Sequence, residues 1–186
     1  MKEVIFYEEW LSLSKNEFRI MAMLAEQGEY TGNLTDLCRY FSLTPQTRNT
    51  TSLRTSINSL NEKGFLTSQQ RGRTYQLNIV PKAKEITAPQ SWVRSLMIHE
   101  KFSEDVSWEQ ILKVYLWIAN NQMPIVTNEM ISAELNISVS TIGLAKKVLQ
   151  QDYEAITRKR ISERIGEDTY RNIGQMLAAS AIIKQE

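Results

Sequence analysis

The sequence has little of what metalloproteins and many enzymes require. Its 186 residues include one cysteine, Cys38, and one histidine, His99. A single cysteine excludes an internal disulfide and fits a reducing compartment, and a structural metal is not expected because zinc sites use mainly cysteine and histidine. Glycine-rich phosphate loops and nucleophile-elbow patterns are absent too. We therefore expect no enzyme activity, no cofactor and no metal.

Long apolar runs are also missing. No stretch approaches the ~20 residues that span a bilayer, and the N-terminus has no signal-peptide core. Hydrophobic residues make up 42% and charged residues 23% of the chain, which is ordinary for a soluble globular protein. We expect a cytoplasmic protein of one large or two small domains, without membrane contact.

The sequence has no large excess of charge, because its formal net charge is only +1. The charges are unevenly distributed, however. Five basic residues and one acidic residue lie between Thr44 and Tyr75, a net charge of +4. Between Thr87 and Ala145, three basic residues oppose six acidic residues, a net charge of −3. An anionic partner is therefore expected at the segment 44–75.

Helix signals lead into this basic segment. The pattern Ser14-Lys15-Asn16-Glu17 is a capping box, and apolar residues follow it at helical spacing until Gly28. A second helix is predicted over 33–42. Thr44 then caps a third helix with Pro45 at its first position, where the missing amide costs nothing.

The third helix has two different faces. Leu53, Ile57 and Leu60 face inward. The outward face and its leading end carry arginine, asparagine and hydroxyl side chains: Arg48, Asn49, Thr51, Arg54, Thr55 and Asn58. Arginine can pair with guanine and asparagine with adenine, while hydroxyls serve phosphates or bases. A solvated face is the alternative, but Asp and Glu are absent from 44–61, so DNA contact is favoured.

A short basic hairpin is predicted after this helix. Glu62-Lys63-Gly64-Phe65-Leu66 ends the helix, and Arg71 and Arg73 flank the glycine of the tip. Helix and hairpin together resemble the recognition helix and wing of winged helix-turn-helix proteins, over about 13–79. The resemblance implies that the helix enters the major groove and that the two arginines hold the DNA backbone. One departure from the family pattern is a longer turn over 45–50.

Two prolines within nine residues, Pro81 and Pro89, predict a linker over 81–90. This divides the chain into a winged helix-turn-helix domain over 1–80 and a second domain over 91–186. The fold class predicted from this organisation is mainly α with a small β-hairpin.

The second half of the chain repeats the pattern of the first. Val106–Ile111 is another capping-box start. The segment 127–150 resembles a bacterial helix-turn-helix, with Asn136 where the turn needs a left-handed backbone. A degenerate internal duplication is the simplest account. Ser140 and Lys147 on the last of these helices are candidate DNA contacts, although the same face suits a protein partner.

From Tyr153 onward the chain is predicted to be helical, with a last helix over 167–184. This last helix either packs on the second domain or forms a homodimer contact, because helix-turn-helix proteins usually read paired half-sites as dimers.

These patterns predict a protein that binds double-stranded DNA in a sequence-specific manner. It would be a bacterial-type transcription regulator or a replication initiator of a mobile element. The alternative is a protein-interaction adaptor on a winged-helix scaffold, since such folds also serve without DNA. The acidic stretch Glu100–Glu109 fits that alternative.

Overall fold

The computed structural model describes residues 2–98, 101–103, 106–121, 126–151, 156–159 and 180–183. This part of the chain is mainly helical, and its strands form small antiparallel sheets, in agreement with the coarse fold class expected. No helix within the described ranges is long and apolar enough to cross a membrane.

The chain divides into two units, Met1–Glu100 and Lys101–Glu186. The first unit contains β1 (Glu3–Tyr7), a 3-10 turn (Glu8–Ser12), α1 (Lys15–Gln27), β2 (Glu29–Asn33), α2 (Leu34–Tyr40), α3 (Thr47–Glu62), β3 (Leu66–Arg71), β4 (Thr74–Ile79), β5 (Glu85–Pro89) and α4 (Gln90–Ile98). The second unit contains β6 (Lys101–Ser103), β7 (Val106–Ser107), α5 (Trp108–Asn121), α6 (Asn128–Leu135), α7 (Val139–Gln151), β8 (Ile156–Lys159) and β9 (Ser180–Ile183).

Helix α1 forms as its sequence predicts. The capping box of Ser14 and Glu17 is present, and the helix ends at Gly28, whose φ of 94° suits glycine. Its apolar face supplies much of the core of the first unit, where Phe18, Met21 and their neighbours are fully buried. Helix α3 packs against α1, and α2 packs against α3, so α3 connects the three helices.

Helix α3 begins later than predicted. Its N-cap is Gln46, not Thr44, and Pro45 precedes the helix. The Thr44 carbonyl accepts hydrogen bonds from the Gln46 amide (2.7 Å) and from Asn49 Nδ2 (2.8 Å), which closes a turn before the helix starts. A residue that precedes proline is also disfavoured in the α conformation. The inward face is confirmed, since Leu53, Ile57 and Leu60 are fully buried.

Strands β2, β4 and β3 form a three-stranded antiparallel sheet in that order. The predicted hairpin is confirmed: β3 and β4 pair up to Arg71 and Thr74, which leaves Gly72 and Arg73 as a two-residue loop. Gly72 has a φ of 60°, and glycine at the first loop position is typical of a type II′ turn. Strand β2 was not predicted, because Glu29–Asn33 is polar and becomes a strand only by pairing with β4.

The predicted linker over 81–90 is wrong. Strand β5 lies within it and pairs antiparallel with β1 along its whole length, and α4 follows directly. Ile86 and Ala88 alternate with exposed residues and are buried, which gives this segment the pattern of a half-buried strand. Pro89 is tolerated because it ends the strand. The first unit therefore extends to residue 100 rather than to 80.

In the described part of the second unit, helices α5, α6 and α7 pack against one another. Ser107 precedes α5, and its backbone amide donates to Gln110 Oε1 at 2.9 Å, as the repeated capping pattern predicts. Asn136 ends α6 with φ 52° and ψ 43°, which confirms the predicted left-handed turn. Ile131 and Ile142, the apolar residues on either side of this turn, are fully buried.

The predicted C-terminal helices differ from the structure where it describes them. Residues 156–159 and 180–183 are the strands β8 and β9, which pair antiparallel. Both segments contain β-branched residues, which favour strands over helices. The remainder of the predicted last helix, and the homodimer contact expected there, lie outside the described residues.

Candidate nucleic-acid interface

The outward face of α3 is solvent-exposed along most of its length. Arg48, Thr51, Arg54, Thr55 and Asn58 are all exposed. At 3.6 residues per turn these five side chains fall within an arc of about 120° on the helix, opposite the buried leucine and isoleucine residues. A single polar surface therefore runs along α3. It has no acidic residue from Thr47 to Asn61, and Glu62 lies at its C-terminal end.

Asn49 differs from the other predicted residues of α3. It is half-buried, and its side-chain amide donates to the Thr44 carbonyl at 2.8 Å. This bond turns Asn49 back toward the chain and closes the turn before α3. The structure therefore gives Asn49 a local structural contact rather than a position on the outward surface.

Two arginines from separate elements line one depression on the first unit. Arg54 of α3 and Arg73 of the hairpin tip both contribute to a depression of about 490 Å³ between α2, α3 and the hairpin. Gln70 Nε2 donates to the Gly72 carbonyl at 2.8 Å, and this bond helps to fix the tip. We call this feature the α2–α3–hairpin depression.

Helix α2 also contributes to this depression, which was not predicted from the sequence. Asp36 and Arg39 of α2 line it, together with Thr35 and with Thr50 of α3. Helix α2 showed only an apolar pattern for the core, and nothing in the sequence places its polar face beside α3. The spacing of Asp36 and Arg39 predicts only that these two side chains are neighbours, because residues three apart on a helix are adjacent. Arg39 Nη1 lies 3.3 Å from Asp36 Oδ1.

The other predicted residues lie outside this depression. Arg48, Thr51, Thr55 and Asn58 remain on the exposed arc of α3, and Arg71 is exposed on β3. The structure thus divides the predicted residues into two groups. Arg54 and Arg73 line the depression between α2, α3 and the hairpin, and the others on α3 form a row along that helix.

Partly buried hydrogen bonds hold α3 in position. Glu17 Oε1 accepts from Ser59 Oγ (2.7 Å) and Lys63 Nζ (2.6 Å) near the end of α3, and Glu17 Oε2 accepts from the Ser14 amide (2.9 Å). Burial of this carboxyl group raises its pKa, but the bonds from Lys63, Ser59 and Ser14 outweigh burial and lower the pKa to about 2. Glu17 therefore remains ionised and links the start of α1 to the end of α3.

Two further bonds join α3 to its neighbours. Asn16 Nδ2 donates to Ser52 Oγ at 2.9 Å, which connects α1 to the first half of α3. Asn61 Oδ1 accepts from the Ser68 amide at 3.1 Å, which connects the end of α3 to the hairpin. The hairpin and the exposed arc of α3 are therefore held at a defined spacing.

In the second unit, Ser140 and Lys147 are both exposed on α7, as predicted. Ser140 Oγ lies 3.0 Å from Ser138 Oγ, which also accepts from the Thr141 amide at the start of the helix. Lys146 is buried, with its Nζ 3.0 Å from Asn128 Oδ1, so Lys147 supplies the exposed cation of α7. This helix carries much less positive charge than α3 and the hairpin.

Neither metal nor thiol chemistry is indicated by the side chains in the described ranges. They contain no group of three His, Cys, Asp or Glu residues that could hold a metal ion. Cys38 is fully buried, and burial raises the pKa of its thiol, which makes the thiolate less accessible at neutral pH.

Comparison with protein-family models, curated proteins and solved structures gives no match to this chain.

Proposed function

We propose that the first unit is a winged helix-turn-helix module that binds double-stranded DNA. The order of its elements supports this, because α2 and α3 are followed by a basic hairpin and β2 completes the sheet. The observation that carries the proposal is that Arg54 of α3 and Arg73 of the hairpin tip line one depression beside a helix face without acidic residues from Thr47 to Asn61. Two elements that both present arginine to the same space suit a polyanion.

In this proposal α3 lies in the major groove, which is wide enough to admit an α-helix. The exposed arc of α3 then faces the base edges, where Asn58 can pair with adenine and Arg48 with guanine. The threonines between them can contact phosphates or the methyl group of thymine. Arg71 and Arg73 of the hairpin contact the DNA backbone beside the groove.

The second unit has a secondary part in this proposal. Ser140 and Lys147 extend the DNA contact or orient the complex, and a homodimer through the C-terminal segment would pair two half-sites. The protein would be a cytoplasmic transcription regulator or a replication initiator of a mobile element.

A protein-interaction adaptor is the second candidate. It is favoured by two apolar side chains of the second unit, Met130 and Val139, which are 36% and 41% exposed. Such exposed apolar residues on neighbouring helices suit a protein partner better than a phosphate backbone.

Selection of bound sequences from a random duplex pool tests the proposal and reveals the site. Affinity for the selected duplex and for a scrambled duplex is then measured by fluorescence anisotropy at increasing salt. With four to eight phosphate contacts, the slope of log K against log salt should be about −4 to −7. No enrichment of any sequence, together with weak binding at all salt concentrations, would reject DNA binding and favour the adaptor.

A further inference from the structure

We infer that Arg39, Arg54 and Arg73 form one phosphate-binding site, in which a phosphodiester of a DNA strand lies in the α2–α3–hairpin depression. The inference rests on the proposed function and deepens it. It adds Arg39, and it assigns Arg54 to the DNA backbone rather than to a base edge.

The charges around the depression support an anionic occupant. Three guanidinium groups line it, and Asp36 is the carboxylate that lines it with them. Asp36 and Arg39 are 51% and 70% exposed in their side chains, and exposed ion pairs are weak in water. A phosphate can therefore replace Asp36 as the partner of Arg39. With three arginines against one aspartate the lining is net positive, and a concave surface of net positive charge concentrates anions.

The donors available in the depression suit phosphate. Guanidinium groups bind phosphate oxygens with two parallel N–H donors, a geometry that fixes position as well as charge. Thr50 Oγ1 lies within donating distance of the Gln46 carbonyl (3.2 Å) and the Thr47 carbonyl (3.1 Å). Its hydroxyl proton is therefore used in a hydrogen bond at the start of α3. The arginines are therefore the groups we assign to the anion.

The position of Arg54 on α3 separates it from the base-reading line. Arg48, Thr51, Thr55 and Asn58 follow one another at spacings of three and four residues, which places them in a row along the helix. Arg54 lies at the edge of the arc next to Thr50, and both residues line the depression. With α3 in the major groove, a side chain on that edge contacts the DNA strand that borders the groove rather than the base pairs.

The first test compares Arg39→Ala and Arg54→Ala with the wild-type chain on the selected and the scrambled duplex. Each substitution should lower the affinity for both duplexes by the same factor, roughly tenfold. It should also reduce the salt slope by about 0.9, the value for one phosphate contact. Lys2→Ala is the matched control, because it removes an exposed positive charge that does not line this depression. It should change neither quantity appreciably.

The second test locates the contact on the DNA. Single phosphodiesters of the selected duplex are replaced one at a time by uncharged methylphosphonates. One position should weaken binding of the wild-type chain and have little further effect on Arg39→Ala or Arg54→Ala, because removing both partners of one contact is not additive. Asp36→Asn should strengthen binding of both duplexes several-fold, since it removes the competing carboxylate while it keeps the side-chain shape.

The outcomes that overturn the inference differ from those that overturn the proposed function. Loss of discrimination between the two duplexes in Arg54→Ala would make Arg54 a base reader. Unchanged affinity and salt slope in Arg39→Ala would remove Arg39 from the site. In both cases the wild-type chain still binds DNA, and the proposed function stands. Failure of the wild-type chain to bind any duplex would overturn both. Arg39→Lys and Arg54→Lys, which keep the charge, check that a loss does not come from misfolding, because they should retain most of the salt slope.

Discussion

The buried carboxylate of Glu17 makes the stability of the first unit depend on pH in a defined direction. The substitution Glu17→Gln keeps the size of the side chain and removes its charge. It therefore weakens the bonds from Lys63 and Ser59 that connect α1 to α3. Because the side chain of Glu17 is only 6% exposed, water cannot replace these partners without a local opening.

The magnitude follows from the pKa. A lowering from 4.5 to about 2 corresponds to roughly 3–4 kcal/mol, at about 1.4 kcal/mol per pKa unit. Lys63 is 48% exposed, so solvent screening reduces the expected value to about 1–3 kcal/mol. A pKa that is lower in the folded chain means that the stabilisation is fully present above about pH 4.5 and is lost as the pH falls toward 2. Glu17→Gln should therefore lower stability at pH 7 and flatten its dependence on pH below 5.

The free energy of unfolding is measured by urea unfolding of the full chain, followed by tryptophan fluorescence at several pH values between about 2.5 and 7. This method has the accuracy of about 1 kcal/mol that the comparison needs. Glu62→Gln is the matched control, because Glu62 is an exposed carboxylate on the same helix α3. The control should follow the wild-type curve. If Glu17→Gln and the wild-type chain lose stability in parallel between pH 5 and 2.5, the link between α1 and α3 does not carry the assigned energy.

Three further predictions concern DNA reading and local backbone structure. Asn58→Ala should reduce discrimination between the selected and the scrambled duplex by roughly 1–3 kcal/mol, measured by anisotropy; equal discrimination before and after would remove Asn58 from base reading. Arg71→Ala should instead lower the affinity for all duplexes alike and lower the salt slope by about 0.9. A loss of affinity that depends on the DNA sequence would contradict the assignment of Arg71 to the DNA backbone. Asn136→Gly should retain or raise the stability of the second unit. Asn136→Ala should lower its free energy of unfolding by roughly 1 kcal/mol, because alanine is disfavoured in a left-handed backbone. Calorimetry of both variants measures the difference, and equal melting temperatures would contradict the turn geometry.

Local signals in the sequence predicted the parts of the fold that depend on neighbouring residues. The capping box before α1 and the left-handed turn at Asn136 are examples, since a cap or a turn is specified within four residues. Strand β2 is different, because its polar sequence becomes a strand only against β4, which is more than 40 residues later. Strand β5 was missed because Pro81 and Pro89 were interpreted as a linker, although the second of them only ends the strand.

The candidate site was predictable to a similar extent. The exposed arc of α3 followed from helical periodicity, which assigns faces without knowledge of the fold. That Arg54 lies with Arg73 and Arg39, away from Arg48, depends on how α2, α3 and the hairpin pack against one another. Periodicity along one helix contains no information on that packing. Asn49 was assigned to the outward face for the same reason, and its bond to Thr44 belongs to the turn that the sequence placed inside the helix.

The pairing of β1 with β5 has a practical consequence for work with the first unit alone. A fragment that stops at residue 80 would lack the strand that covers β1, so the main-chain groups of 3–7 would lose their partners and the buried ring of Phe6 would lose part of its covering. Exposed, unpaired strand edges of this kind promote self-association. Expression of this half should therefore extend through Ile98, so that the first and last strands of the unit are produced together.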